Sequence, residues 1–297
     1  MAGRSALRPP LVSVEALATH LGDPAIVVID VRWVLGQPGA GRRAYETGHI
    51  PGAIFLDLDS DLVAGDGPGR HPLPEPAEFE AMLAARGVGD RTFVVAYDDV
   101  GGWVAARLWW MLDDLGHAAV GVLDGGYPAW VAAGFPVSRE VPTPPNRPAD
   151  LHLAKAWRKV VDREALKSRL GSVVLLDARA GERYRGEVEP IDPVAGHIPT
   201  ARSAPTAGNL APDGRFLPPA QLRARFAALG CGPDGTVTSC GSGVSACHHA
   251  LAMRIAGLPD PLLYPGSFSD WSRSGEQVAV GAEAGPATLI ARGGHDR

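Results

Sequence analysis

The sequence contains two copies of one series of motifs in the same order, and this repeat limits the possible folds more than any other feature. A "GHIP" tetrapeptide occurs at 48–51 and again at 196–199. A β-branched apolar run precedes each "GHIP" tetrapeptide, and these runs end at Asp30 and Asp177. Recurrence of landmarks in a fixed order is typical of a duplicated structural unit. We therefore expect two domains of one architecture.

Within each copy, strand-like runs alternate with helical patterns. The segment "TFVVAYDD" (92–99) corresponds to "GTVTSCGS" (235–242), and a helical stretch follows each. Such runs are apolar without alternation, as expected for strands that are covered on both faces. The pattern predicts an α/β fold in which each domain is a mainly parallel sheet flanked by helices.

Composition excludes several classes of protein. The chain has 297 residues, 45% of them hydrophobic, and a net charge of −5 without a basic run. This balance predicts no nucleic-acid partner, and no apolar window is long enough to predict a membrane span. The N-terminus lacks the apolar core of a secretion signal. Three cysteines are too few for a disulfide scaffold and favour a reducing compartment, so we expect a cytoplasmic protein.

A proline-rich segment, "REVPTPPNRPADLH", separates the two copies and is predicted to be the interdomain linker. The expected division has four parts. A first domain covers 10–138, the linker 139–157, a second domain 158–281 and a tail 282–297.

The second copy carries a cysteine where a strand gives way to a glycine-rich turn and a helix. Cys240 ends the strand-like run, and "GSGVSA" follows it. Gly241 and Gly243 permit backbone angles that other residues resist, and Ser242 and Ser245 are candidate N-cap residues. Such a turn can direct several N–H groups at one anion, and the helix N-terminus adds partial positive charge. We therefore expect Cys240 to be held as a nucleophilic thiolate.

The repeat provides an internal comparison for this cysteine. The first copy has Asp98 at the position of Cys240, so we expect chemistry in the second domain alone. Cys247 falls on an apolar helix face and is predicted to be core, whereas Cys231 is predicted to be a loop thiol without a role. The "CHH" run at 247–249 is not a metal motif, because adjacent helix positions do not converge on one ion. No metal or cofactor is predicted.

Taken together, the paired "GHIP" segments, the exchange of Asp for Cys, the loop "CGSGVSA" and the segment "DGGYPAW" resemble the tandem-domain rhodanese-like sulfurtransferases. The neutral loop is similar to that of the 3-mercaptopyruvate sulfurtransferases. The resemblance implies that the Cys240 thiolate takes sulfur from 3-mercaptopyruvate, releases pyruvate and holds a persulfide. A thiol such as thioredoxin or a small thiol, or cyanide, would then accept the sulfur in a double-displacement cycle.

The resemblance also implies residues that bind the donor. Arg183 corresponds to a substrate arginine of the family, and a planar guanidinium suits a carboxylate. A second arginine of the family is missing here, because Ile191 stands at the nearest place. Arg185 and Arg202 are possible substitutes. The loop residues expected to contact the donor or its sulfur are Gly241, Gly243, Val244 and Ser245.

A proton relay is a further implication. The 3-mercaptopyruvate enzymes resemble this chain in a Ser-His-Asp set, which here would be Ser242, His71 and Asp59. A histidine can move a proton near neutral pH, and an aspartate can fix its tautomer. By contrast, His49 and His197 of the "GHIP" pair are predicted to be structural, since both copies have them.

Three other functions can be compared with the residues of the Cys240 loop. A cysteine-dependent phosphatase requires an arginine six residues after the cysteine, and Ala246 stands there. A non-catalytic rhodanese-like binding module is disfavoured by the intact Cys240 loop. Thiosulfate sulfurtransferase is favoured by the missing second arginine, but such enzymes carry basic residues after the cysteine, where this chain has Gly241 and Ser242.

Overall fold

The computed structural model describes residue 7, residues 10–233 and residues 235–285. These residues form two compact units. The first contains the described residues up to Ala64, Leu73–Arg158 and Leu210–Phe216. The second contains Gly65–Pro72, Lys159–Asn209 and the described residues from Leu217 onward. The part of the predicted tail from 286 to 297 lies outside the described residues.

The first unit is built from five strands and six helices among its described residues. The strands are β1 (Leu11–Val12), β2 (Ile26–Asp30), β3 (Ile54–Phe55), β4 (Phe93–Tyr97) and β5 (Val120–Leu123). The helices are α1 (Val14–Ala18), α2 (Ala40–Thr47), α3 (Leu58–Asp61), α4 (Pro76–Ala85), α5 (Ala105–Asp114) and α6 (Gly126–Ala132).

The second unit repeats this plan with four strands and five α-helices in its described part. The strands are β6 (Val174–Asp177), β7 (Ala201–Ser203), β8 (Thr236–Ser239) and β9 (Leu262–Leu263). The helices are α7 (Arg163–Lys167), α8 (Gly181–Arg185), α9 (Pro219–Ala228), α10 (Ala246–Ile255) and α11 (Ser267–Trp271), and a 3₁₀ turn covers Thr206–Asn209.

Each unit has one sheet, and the strand pairs within both sheets are parallel. The first sheet has the order β1-β5-β4-β2-β3 and the second has the order β7-β6-β8-β9. The central strands β4 and β8 are almost wholly buried, which explains why their sequences are apolar without alternation. The predicted α/β fold with two domains of parallel sheet flanked by helices is confirmed.

Each unit has its own buried ion pair between the last residue of a strand, β2 or β6, and the arginine two residues later. In the first unit, Arg32 donates from Nε and Nη2 to Asp30, and Nη2 also donates to the Gly48 carbonyl. In the second, Arg179 binds Asp177 in the same way, with Nη2 at 2.6 Å from Oδ2. This pair fixes the loop after the strand, because the Asp177 carboxylate also accepts the backbone N–H of Arg179.

The two "GHIP" histidines have matching surroundings. The His49 ring stacks on Tyr45 with ring centroids 3.9 Å apart, and His197 stacks on Tyr184 at 3.8 Å. In each case Nδ1 lies 2.8 Å from the carbonyl oxygen of that tyrosine. Both rings are fully buried, so they hold the loop before the short strand in place in each copy.

The segment between the copies is bonded to the first unit rather than extended between domains. The Ala149 N–H donates to the Ala84 carbonyl, and Trp157 stacks on Trp110 with ring centroids 5.7 Å apart. At the other end of the chain, the Thr200 N–H donates to the carbonyl of Ala284, within the predicted tail. The residue limits assigned to the linker and tail remain predictions. None of the described helices has the length and apolar character needed to cross a bilayer.

Candidate active site

Cys240 lies at the carboxyl end of β8, where ligands of parallel sheets bind. Its side chain is buried, and the N–H groups of Ser242 and Gly243 donate to Sγ at 3.4 and 3.1 Å. Helix α10 begins shortly afterwards, at Ala246. Backbone donors and a helix N-terminus therefore meet at this sulfur, an arrangement that stabilises a negative charge on it.

The backbone of Cys240 is fixed by a residue that the sequence did not single out. The Cys240 N–H donates to Ser267 Oγ at 3.1 Å, and Ser267 Oγ donates to the Tyr264 carbonyl at 2.8 Å. Ser267 has a φ of 51°, a left-handed conformation that is strained for serine. The corresponding residue of the first unit is Gly126, with a φ of 57°. A serine is kept here in a glycine conformation, and its hydroxyl holds the nucleophile's backbone.

Gly243 is required by close packing. Its φ is 77°, and a Cβ placed on it would lie 2.4 Å from the Pro265 carbonyl oxygen. No other residue fits without moving the backbone. The loop therefore lies in close contact with Pro265, just before α11, and the Gly243 N–H donates to Cys240 Sγ.

Of the two predicted N-cap candidates of α10, Ser245 occupies that position and Ser242 does not. Ser245 occupies the N-cap position, but its side chain makes no capping hydrogen bond. Its backbone is already helical, with φ −67° and ψ −14°, whereas capping residues typically have an extended backbone. Ser242 is not at the N-cap position, and its hydroxyl faces a histidine instead.

Ser242 and His71 form a close pair in the second unit. Ser242 Oγ lies 2.7 Å from His71 Nδ1, and both residues are buried. His71 comes from the first half of the sequence but lies in Gly65–Pro72, the segment that belongs to the second unit. Asp59, the third residue of the predicted set, lies in the first unit, where its Oδ2 accepts the indole N–H of Trp33 at 2.8 Å. Its predicted part in a relay stays a prediction.

The first unit has a different loop at the corresponding place, one residue longer, and it begins with an aspartate instead of the cysteine. Asp98 directly follows β4 and is fully buried. Its carboxylate accepts backbone N–H groups at 2.8–3.0 Å, which come from Val100, Gly102, Val104 and Ala105. Burial raises the pKa of Asp98 above the usual aspartate range, although these four donors oppose the rise. The loop geometry itself therefore gathers N–H groups around whatever group follows the strand.

Arg183 lies beside the Cys240 loop and is held by acids. Its Nη2 donates to Glu189 Oε1 at 2.7 Å and to Asp192 Oδ2 at 3.3 Å. Burial alone would raise the pKa of Glu189, but the hydrogen bond from Arg183 and the backbone donors hold it below its usual range. Glu189 is therefore an anion that fixes the guanidinium.

The two candidates for a second arginine lie elsewhere. Arg185 is paired with Glu187 on the exposed side of α8, at 2.7 Å, and Arg202 donates to the Leu229 carbonyl. Arg70 occupies the region instead: its Nη1 donates to Asp192 Oδ1. The sequence offered no signal for Arg70, because its segment is far from the second copy along the chain.

The Asp177–Arg179 pair supports this region. Burial alone would lower the pKa of Arg179, but the Asp177 carboxylate raises it above the usual arginine value. The guanidinium carbon also lies 3.9 Å from the centroid of the Phe268 ring. Since Phe268 donates its N–H to the Cys240 carbonyl at 3.0 Å, Arg179 stabilises the residue that anchors the loop.

The "CHH" run is part of a buried polar network. Asn209 Nδ2 lies 3.1 Å from Nδ1 of His248 and 3.0 Å from Nδ1 of His249, so the amide can donate one hydrogen to each ring. Burial lowers the pKa of His249 to about 4, which keeps its Nδ1 an acceptor. Cys247 is buried, and its Sγ donates to the Gly243 carbonyl at 3.3 Å. These residues are core, as the sequence predicted for Cys247.

Comparisons with known proteins find matches over most of the chain. The family model "Rhodanese-like domain" matches residues 13–133 and 162–274. A Pseudomonas aeruginosa protein named "Probable 3-mercaptopyruvate sulfurtransferase" is 48% identical over 88% of this chain and 94% of its own. Mouse thiosulfate sulfurtransferase is 34% identical over 89% of this chain and 92% of its own. The solved 3-mercaptopyruvate sulfurtransferase from Leishmania major superposes with a TM-score of 0.79, at 31% identity, and covers 91% of this chain and 76% of its own.

Proposed function

The chain belongs to the rhodanese-like family and is a tandem-domain sulfurtransferase, and on that basis we propose that it moves sulfur from 3-mercaptopyruvate through a persulfide on Cys240. Pyruvate is the first product. A thiol, such as thioredoxin or a small thiol, or cyanide is the acceptor. We further propose that the protein works in the cytoplasm, which suits three cysteines that are all free.

The observation that carries this proposal is the pair of N–H donors at Cys240 Sγ. Donors that are already in place stabilise negative charge without reorganisation during the reaction. A thiolate and a persulfide anion both place charge at this position. The same two donors can therefore serve the free enzyme and its sulfur-loaded form.

The bonds, electrons and proton of the proposed first half-reaction are all accounted for without a cofactor. The thiolate of Cys240 attacks the donor sulfur, an S–S bond forms, and the C–S bond of 3-mercaptopyruvate breaks. The electron pair of that bond leaves with carbon as the enolate of pyruvate. The proton of the donor thiol ends on the enolate carbon, which gives pyruvate and a persulfide anion. In the second half-reaction, the acceptor takes the outer sulfur and Cys240 leaves as a thiolate.

Charge balance near the loop favours 3-mercaptopyruvate over thiosulfate. The carboxylates of Glu189 and Asp192 lie against Arg183, and Asp192 also binds Arg70. Because acids offset these arginines and the loop has no basic side chain, the site suits a donor with one negative charge better than one with two. Thiosulfate sulfurtransferase remains the second candidate, since relatives with that name match over most of the chain.

We expect kcat/KM for 3-mercaptopyruvate to exceed that for thiosulfate by at least about tenfold, equivalent to ~1.4 kcal/mol of transition-state binding. Both donors are to be measured on one preparation with cyanide as the acceptor, and thiocyanate is the common product. A preference for thiosulfate would overturn the proposed donor and leave sulfur transfer intact.

Ser242 and His71 are proposed to move the proton from the donor thiol to the enolate. The 2.7 Å separation between Ser242 Oγ and His71 Nδ1 supports proton exchange between them. Ser242 also lies next to the nucleophile, since its N–H donates to Cys240 Sγ. In the predicted set, Asp59 would orient His71.

Replacing Ser242 by alanine is expected to slow transfer from 3-mercaptopyruvate by about 100-fold, a typical contribution of positioned proton transfer. Thiosulfate leaves as sulfite and needs no proton on carbon, so its rate should fall much less. The matched control is Ser168→Ala, because Ser168 is an exposed serine of the second unit whose hydroxyl donates to the Ala165 carbonyl. Equal losses for both donors would mean that Ser242 supports only the loop.

A further inference from the structure

Arg70 and Arg183 come from distant parts of the sequence and share one carboxylate. Asp192 Oδ1 accepts from Arg70 Nη1, and Asp192 Oδ2 accepts from Arg183 Nη2. The Asp192 side chain is fully buried, whereas the two arginine side chains are 20% and 17% exposed. The acid therefore hydrogen-bonds to two guanidinium groups that remain partly open to solvent, and the more exposed Arg273 lies farther off, with Nη1 3.7 Å from Oδ1.

Both guanidinium groups converge on the residue after the nucleophile. A Cβ placed on Gly241 would lie 2.8 Å from Arg70 Nη2 and 3.6 Å from Arg183 Nη1. Arg70 thus fills the space that a side chain at position 241 would enter. The glycine of the neutral loop admits two arginines from outside the loop.

The backbone of Arg70 is tied to the same loop. Its N–H donates to Ser269 Oγ at 3.0 Å, and the Ser269 N–H donates to the Gly241 carbonyl at 2.9 Å. The preceding residue, Gly69, has a φ of 79°, and a Cβ on it would lie 2.5 Å from the Gly266 carbonyl oxygen. Arg70 is therefore positioned by close contacts with α11, not by its ion pair alone.

Each of the two arginines has one buried donor to spare. Nε of Arg70 and Nε of Arg183 are buried and have no hydrogen-bond partner among the residues that the structure describes. A buried N–H without an acceptor costs free energy, and this free energy is recovered when an anionic oxygen accepts a hydrogen bond from it. Both donors belong to the arginines whose Nη groups lie against Gly241, next to the nucleophile, which indicates a site for a small oxyanion there.

We propose that Arg70 is the second donor-binding cation of this enzyme and acts with Arg183 on the carboxylate and keto oxygens of the donor. This inference rests on the proposed function and names the residue that stands in for the arginine missing at Ile191. It makes the segment Gly65–Pro72 a part of the active site through two neighbouring residues, since His71 follows Arg70. The ligand class is a short 2-keto carboxylate.

The test compares full-length wild type with Arg70→Ala, Arg70→Lys and Arg183→Ala. Arg185→Ala is the matched control, because Arg185 lies on the same helix as Arg183 but is paired with exposed Glu187. Pyruvate release from 3-mercaptopyruvate gives kcat and KM. We expect Arg70→Ala to lower kcat/KM by about 10- to 100-fold, mainly through KM, as for loss of a charge-assisted hydrogen bond. Arg70→Lys should recover part of the loss.

Two further measurements distinguish a loss of donor binding from a general disruption of the active site. The persulfide is loaded with inorganic polysulfide, and its discharge to a thiol is timed; Arg70→Ala should match wild type there. Pyruvate binding is measured by titration calorimetry and should weaken in Arg70→Ala by a similar factor. Wild-type donor parameters in Arg70→Ala, or a discharge slowed as much as the donor step, would overturn the inference.

The wild-type enzyme tests the proposed donor separately from the test of Arg70. Wild type that releases no pyruvate from 3-mercaptopyruvate would contradict the proposed donor. Pyruvate titration still decides on Arg70 in that case. Weaker binding by Arg70→Ala than by Arg185→Ala supports the inference, and equal binding by the two variants overturns it.

Discussion

Cys240→Ser is expected to lose sulfur transfer from every donor, with turnover below about one-thousandth of wild type, as is usual when a covalent nucleophile is removed. A serine hydroxyl fits the loop but cannot take sulfur into an S–S bond. The loop N–H groups remain, so the variant should still bind the donor. Pyruvate and thiocyanate formation measure turnover, and intact-protein mass spectrometry detects the sulfur atom gained by wild type and missing in the variant.

The control for this variant is Cys231→Ser. Cys231 is only partly buried, and burial raises the pKa of its thiol, which disfavours a reactive thiolate. Cys231→Ser should therefore keep wild-type turnover and gain one sulfur. Turnover retained in Cys240→Ser, or a persulfide that maps to Cys231 or Cys247, would refute the assigned nucleophile.

Asp177→Asn is expected to destabilise the second unit by about 3 kcal/mol, because it removes the carboxylate that binds the buried Arg179 guanidinium most closely and leaves only Glu189, 3.4 Å from Nη1. Asparagine keeps the shape of aspartate, so packing changes little. Asp177 is 1% exposed and accepts from Arg179 N, Nε and Nη2. The free energy of unfolding is measured by urea denaturation, followed by fluorescence and by far-UV circular dichroism.

The repeat offers a matched comparison for this effect. Asp30→Asn breaks the same pair in the first unit, where Asp30 binds Arg32 with nearly identical distances. We expect a similar destabilisation of that unit. Glu187→Gln removes an exposed partner of Arg185 and should leave the unfolding midpoint in place. A change below about 1 kcal/mol in Asp177→Asn would mean that Arg179 finds another partner.

Sequence patterns were sufficient for the fold because they were local and occurred twice. Apolar runs that end in Asp30 and Asp177 predicted parallel strands, and the structure has those strands. The same reasoning placed Cys240 at a strand end before a helix. Ser245 stands at the predicted N-cap position, but it makes no capping hydrogen bond, because that bond depends on the backbone angles before the helix and not on residue type alone.

Residues brought in by tertiary structure could not be predicted in this way. Arg70 reaches the Cys240 loop from a segment of the first copy, and no spacing rule connects residues 70 and 241. Ser267 looks like an ordinary turn serine, and only its positive φ and its bond to the Cys240 N–H reveal its part. The sequence gives no signal for Asp192 either, because an aspartate in the loop "VEPIDP" does not reveal the arginines with which it pairs in the folded chain.

Asp98 has a consequence for how much sulfur one chain can carry. Its carboxylate is covalently part of the loop and accepts four backbone N–H groups, so it occupies that loop in every molecule. A carboxyl group that is fixed to the chain leaves the first copy no room for a second thiolate or persulfide at this place. Under the proposed mechanism, Cys240 is therefore the loading position of the duplicated fold, and each chain transports one sulfur equivalent per cycle.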